Sequence, residues 1–384
     1  MRGIAILLVL IYHFATPYAS SQHTFLADGI GLGWSGVDLF FVLSGFLITS
    51  ILLDTRKDPH YFRNFYIRRA LRILPLYYAF LIVFAFIVLP FAHHQHKFGE
   101  YHLSQLSLYW VHLSNWSSAL GPPSPTPVAQ MWSLAIEEQF YFVWPLVIFL
   151  LPEAILPLIC FAIAASAIGL RCLPSMQFIQ MAHHEFLYRV TPFRIEPICY
   201  GALIALFNRM NFRKEFRGWA GAVCLIFGAG LLSLQWRLGH TFTYNSFHMT
   251  TFGYTAVDFC GAGLVLLALR YSGTTAAYPR VLRSSALRTL GKYSYAIYIL
   301  HDPIAPYTYK VIHHFIGNVL IGSALNIVLG GAVALGLAKL SWMFLESPIL
   351  SLKDRIAHYR RDAQFETGAE ETPVPVSSVA NSAG

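Results

Sequence analysis

The sequence predicts an all-α polytopic membrane bundle of about ten transmembrane helices with both termini cytoplasmic, and three observations carry that prediction. Hydrophobic residues make up 56% of the chain and charged residues only 12%, with a mean hydropathy of +0.52; a soluble domain carries about a quarter charged residues. The apolar residues fall in blocks of helix-spanning length. The basic residues gather in alternate connecting segments, the bias that marks the cytoplasmic side of a membrane protein.

Taken in order, the blocks cover 3–17, 36–53, 75–92, 131–151, 154–170, 193–208, 218–236, 251–269, 291–310 and 318–345, the sixth short and the last long. The first reads as an integral helix rather than a cleaved leader, because Ala15-Thr-Pro-Tyr-Ala19 is a poor small-residue cleavage site. With Arg2 inside, one set of loops holds Arg56, Lys57, Arg63, Arg68, Arg69 and Arg72, then Arg209 to Arg217, then Arg270 to Lys292, then Lys353 to Arg361. The opposite loops offer only Lys97, Arg171, Arg189, Arg237 and Lys310. An even number of spans follows. The surplus of 27 basic over 19 acidic residues is thus a topology signal, and no basic stripe points to nucleic acid.

Residues 1–350 are expected to form the membrane domain, and 351–384, rich in Ser, Thr, Glu, Ala and Pro, a cytoplasmic and largely disordered tail. The five cysteines are odd in number, lie mostly inside spans and show no CxxC spacing, so neither a disulfide framework nor a metal site is read. His93-His94-Gln-His96, His183-His184 and His313-His314 lack acidic or Cys partners at ligand spacing and read as loop histidines, with no metal expected.

The candidate site rests on ionisable residues inside apolar segments, which are expensive there and mark function by default. Arg2 and His13 are eleven residues apart, which puts them on one face of a helix about 16 Å apart. Asp38 enters span two from the outer end in Gly36-Val-Asp-Leu-Phe-Phe-Val-Leu-Ser-Gly45, and Glu137 and Glu138 begin span four from the same side. These carboxylates are expected to meet His13 in the outer half of the bundle, where a carboxylate-steadied imidazole makes a usable general base. Arg194 and Glu196 enter at a similar level and either pair with each other or serve the site; His301 lies inside span nine. Arg69 and Arg72, three residues apart on one helix surface, can converge on one phosphate-bearing ligand, although positive-inside topology alone also places basic residues there.

In this order the residues resemble the bacterial membrane acyltransferase-3 proteins. The likeness covers about residues 1–350 and includes Arg2 and His13, Gly36-Val-Asp-Leu-Phe-Phe-Val-Leu-Ser-Gly45, Arg69-Ala-Leu-Arg72, Trp132-Ser-Leu-Ala-Ile-Glu137, Tyr293-Ser-Tyr-Ala-Ile-Tyr-Ile-Leu-His301 and Glu346-Ser-Pro348. The resemblance implies an enzyme of the inner membrane that moves an acyl group, acetyl above all, from cytoplasmic acetyl-coenzyme A to a hydroxyl of a cell-envelope or secreted carbohydrate, lipid-linked acceptors included. Arg2, Arg69 and Arg72 would hold the coenzyme. His13 would act as base with Glu137 and Asp38 as further catalytic groups, and Glu138, Arg194 and His301 would bind substrate. An acyl-enzyme route is the mechanistic rival. The rival from another class is a proton-coupled transporter or flippase using the same histidines and carboxylates, for which the two repeated halves common in transporters are not visible.

Overall fold

The computed structural model describes residues 1–19, 25–94, 106–120, 126–182, 185–210 and 214–352. Nearly all of the expected tail, together with His96, His183 and His184, lies outside the described residues. Each of the ten apolar blocks contains a long helix: α1 (Arg2–Ala19), α2 (Gly36–Thr55), α3 (Tyr61–Val83), α4 (Met131–Leu150), α5 (Leu156–Cys172), α6 (Glu196–Arg209), α7 (Lys214–Gly239), α8 (Tyr254–Arg270), α9 (Ser285–Phe315) and α10 (Val319–Ser341). No strand occurs among the described residues.

Six helical stretches are long and apolar enough to cross a membrane, namely Asp28–Thr55, Tyr61–Phe91, Pro127–Leu150, Glu215–Gly239, Met249–Arg270 and Val319–Leu350. Leu156–Cys172 and Pro174–Met181, bent by 65°, make a seventh if the pair is one span. Ten long helices thus fill the ten blocks, while the expected ten spans come down to six, or seven with the bent pair, by length and apolarity. α1 is short in its apolar part, Arg2–Pro17, and α6 has 14 residues. α9 is long enough but carries His301, Asp302, Pro303 and Pro306 in its middle. Sheltered by other helices, such segments need be neither uniformly apolar nor long. The outer surface confirms the solvent: Phe142, Ile226 and Phe344 are each about three-quarters exposed, a density of bare apolar side chains that suits lipid rather than water. The chain is a multi-pass membrane protein.

α2 is the axis of the bundle, 72% buried over its apolar window, whereas α7 is a rim helix at 17%. α2 lies against α6, α1, α8 and α4, while α9 lies against α1 and α10. The α2–α6 crossing depends on two small residues, since a Cβ at Gly45 would overlap the Ile198 carbonyl and one at Gly201 the Val42 carbonyl. Close backbone approach at small residues is the usual device of helix pairs in lipid. Gly201→Leu is expected to cost about 3 kcal/mol or more through overpacking and to lower the yield of monodisperse protein in detergent severalfold. Gly230→Ala, where a Cβ meets nothing within 4 Å, should leave the yield unchanged.

Polar ties set the depth of neighbouring helices. Tyr61 and Tyr66 donate from α3 to the carbonyls of Pro145 and Phe142 in α4, and Trp144 Nε1 donates to Thr49 Oγ1 across α4 and α2 at 2.8 Å. At one end of the bundle Arg209 pairs with Asp54 and Glu153, Arg270 with Glu215, and Arg56 donates to the Phe149 and Leu151 carbonyls. The ends of α2, α4, α6 and α8 thus gather with the starts of α5 and α7. That alternation is the antiparallel up-and-down order expected from the positions of the basic residues.

Candidate active site

Three guanidiniums from two helices face one pocket of about 70 Å³ lined by α1, α2, α3, α4 and α9. Arg2 arrives there because Gly3 lets α1 press against the backbone of α9: a Cβ at Gly3 would overlap the Leu287 carbonyl. Arg69 and Arg72 arrive on one face of α3, which Tyr295 fixes to α9 by donating its hydroxyl to the Ile73 carbonyl at 2.7 Å. Arg69 lies over the rings of Tyr141 and Phe65, at 5.5 and 5.8 Å from their centroids. Among the described residues no hydrogen bond or ion pair occupies Arg2, Arg69 or Arg72. Arg72 is within electrostatic reach of Arg2, Arg69 and Glu346, and Glu346 accepts from Ser341 at 3.0 Å.

Glu137 and Glu138 line the same space. Glu137 is held by Ser44, which donates to Oε1 at 2.7 Å, and by Tyr141, which donates to Oε2 at 3.1 Å. The far wall is Tyr298, whose hydroxyl meets Ser133 Oγ at 2.6 Å and donates to the Gln130 carbonyl at 3.1 Å.

Behind that wall stand the two histidines. The His301 ring is 5.6 Å from that of Tyr298 and 4.6 Å from that of His13, the last contact edge to face. Nδ1 of His13 faces the Val9 carbonyl at 3.0 Å, and Nδ1 of His301 faces the Tyr298 carbonyl at 2.7 Å. Because Nδ1–H donates to a helix carbonyl in each, Nε2 is the free lone pair of each ring. His301 is fully buried and its Nε2 has no partner.

The expected meeting of His13 with Asp38, Glu137 and Glu138 does not occur. α4 starts at the level of the Tyr298 wall and runs antiparallel to α1, so Glu137, seven residues from Gln130, lies about 10 Å back toward the arginines. Asp38 points from another face of α2 and pairs with Arg194 at 2.5 Å, both fully buried. Arg194 does not pair with Glu196. Its guanidinium also lies 4.3 Å from the Tyr254 ring centroid, while Glu196 pairs with Arg171 at 2.6 Å. Asp258, fully buried beside them, completes a group of three carboxylates and two arginines.

Sequence reading missed Arg171 and Asp258. Asp258 sits in an apolar run, Tyr254-Thr-Ala-Val-Asp-Phe-Cys260, and carries the same signal that singled out Asp38. Arg171, by position a loop charge between two apolar blocks, is fully buried at the end of α5. Among the described residues no three His, Cys, Asp or Glu side chains are grouped to hold a metal ion.

A family model described as "Acyltransferase domain" matches residues 1–343. The chain belongs to the acyltransferase-3 family. Curated relatives of this family member include the peptidoglycan O-acetyltransferase OatA of Listeria monocytogenes, 28% identical over 373 residues, which cover 91% of this chain and 54% of that protein. The putative peptidoglycan O-acetyltransferase YrhL of Bacillus subtilis is 30% identical over 378 residues, 91% of this chain and 54% of that protein. The O-acetyltransferase OatA of Staphylococcus aureus is 26% identical over 363 residues, covering 91% and 56%. The chain spans about half the length of these relatives. No solved structure matches it.

Proposed function

We propose that this acyltransferase moves an acetyl group from acetyl-coenzyme A, entering from the cytoplasm, to a hydroxyl of a cell-envelope carbohydrate. The observation that carries the reading is the convergence of Arg2, Arg69 and Arg72, none paired with a carboxylate, on one internal space. Three guanidiniums gathered without a direct ion pair, Arg2 and Arg69 half-buried and Arg72 exposed, repel one another, and a polyanion bound among them relieves that repulsion. The phosphates of a coenzyme A thioester supply that polyanion, and guanidiniums bind them through charge-assisted hydrogen bonds. The space then leads past Glu137 and Glu138 toward the Tyr298 wall and the histidine pair. Both termini lie on the cytoplasmic side in this reading, with the arginine mouth.

At the pair, His13 Nε2 takes the proton of the acceptor hydroxyl as its oxygen attacks the thioester carbon; the carbon–sulfur bond breaks and the imidazolium returns that proton to the departing sulfur, so coenzyme A leaves as the free thiol. Contact of donor and acceptor requires Tyr298 to turn from Ser133. Glu137, fixed by Ser44 and Tyr141, orients the donor arm. The relatives' printed names support acetyl as the group and a cell-wall glycan as the acceptor class.

Acetyl-coenzyme A binding to the purified protein tests the reading. Arg69→Ala/Arg72→Ala is expected to weaken it by about a hundredfold, since each lost hydrogen bond to a charged group is worth about 1.5–3 kcal/mol. Wild-type protein that binds no acyl-coenzyme A would return the intramembrane histidines and carboxylates to the transporter reading.

A further inference from the structure

A second polar cluster lies beyond the histidines, on the side away from the arginines. Along α9, Ser294 and Tyr295 line the internal space, Tyr298 closes it, and Asp302 stands about 12 Å past Ser294. Arg189, on the short helix Phe186–Arg189, pairs with Glu185 at 2.6 Å, and Tyr244 donates to the other oxygen of Glu185 at 2.9 Å. Tyr12, whose ring meets that of His13 at 4.9 Å, lies within electrostatic reach of Glu185, Arg189 and Asp302. Asp302 in turn lies within reach of Arg189.

This cluster is incomplete. Arg189 is only 8% exposed, yet its Nε and Nη1 donate to nothing. His301 Nε2, fully buried, accepts nothing. Asp302 is 5% exposed and receives no hydrogen bond from the described residues. Buried polar groups are nearly always paired, so three unsatisfied ones in one place call for a ligand that supplies both donors and acceptors. Hydroxyls do both: they can accept from Arg189 and donate to Asp302 and His301. The Arg189 guanidinium is already neutralised by Glu185 at 2.6 Å and faces Asp302 besides, so the cluster offers an anionic ligand no free positive charge and a second carboxyl group disfavours it. The rings of Tyr188 and Tyr244, 4.3 Å apart, form an aromatic wall beside the pair.

We propose that Arg189, Glu185, Asp302 and Tyr12, with His301, form the acceptor subsite, and that it takes an uncharged pyranose residue rather than an acidic one. Its role as acceptor site rests on the acyl-transfer reading; its binding of sugar does not. Purified full-length protein is titrated by saturation-transfer difference NMR with neutral tetrasaccharides (chitotetraose, cellotetraose and mannotetraose) and with tetragalacturonate. Wild type should bind at least one neutral tetrasaccharide, and the uronate about tenfold more weakly or not at all. Asp302→Asn should weaken neutral binding by about tenfold or more, the effect of losing a hydrogen bond to a charged group, with coenzyme A affinity unchanged. Tyr12→Phe, which keeps the ring packing, should weaken it in the same sense and decides the matter if Asp302→Asn does not purify as folded protein. Wild type that binds no neutral sugar, prefers the uronate, or is matched by both variants would overturn the assignment. Sugar binding that these variants weaken, in a protein that neither binds nor transfers acetyl from its coenzyme, would uphold the subsite and sink the acyl-transfer reading.

Discussion

His13→Ala is expected to lower acetyl transfer from radiolabelled acetyl-coenzyme A to envelope glycans by about two to four orders of magnitude, the usual worth of a positioned general base. The effect should fall on turnover. His13 does not line the space that holds the arginines, so coenzyme affinity should stay within about twofold of wild type, because uniform binding is untouched when a group acts only in the transition state. The same variant has a modest structural effect, since His13 Nδ1 donates only to its own helix, at Val9. Loss of coenzyme binding along with activity would instead make His13 part of the donor pocket. Retained turnover would remove it from the chemistry.

The second large effect is on stability. Arg194 and Asp38 are fully buried and 2.5 Å apart, and breaking a buried pair by removing one partner costs about 3–5 kcal/mol because the other charge is left uncompensated. Arg194→Met leaves Asp38 beside Asp258, another buried carboxylate that has no hydrogen-bond donor, so the thermal midpoint in detergent should drop sharply. Arg194→Met/Asp38→Leu removes the charge with its partner and should restore most of the loss. A single variant as stable as wild type but without turnover would make Arg194 a substrate-binding residue and Asp38 a catalytic one, the roles the sequence suggested. The fold places both outside the internal space and against α6 and α8, and for that reason we propose that they anchor the bundle.

Much of the bundle was legible from apolar block lengths, because helix is the form that satisfies every backbone group within one segment in lipid. The gathering of Arg2, Arg69 and Arg72 could be anticipated from chain position, since both segments start at the basic end of the bundle. Partner choice could not. Arg194 lies two residues from Glu196 yet joins Asp38, 156 positions away, while Glu196 joins Arg171. Helical rotation between positions 194 and 196 turns the two side chains toward different neighbours. Glu137 illustrates a depth error: its place near the start of span four suggested the outer half, but α4 begins level with Tyr298, already well inside. The Arg189, Glu185 and Asp302 cluster is not legible in the sequence, because Arg189 and Glu185 lie in a connecting segment more than a hundred positions from Asp302 and only tertiary packing brings them together.

Tyr298 and Ser133 have a consequence for the cell that owns the protein. If the proposed reaction holds, a transferase with one mouth for a cytoplasmic thioester and another for an envelope sugar is, in outline, a pore. An open water column through it would conduct ions and dissipate the electrochemical gradient across the membrane. The 2.6 Å contact between Tyr298 and Ser133, backed by the tightly packed histidine rings, interrupts that column between the two mouths. Under the proposed reaction, chemical traffic across the barrier is confined to one acetyl group at a time, and the membrane stays energised while the envelope is decorated.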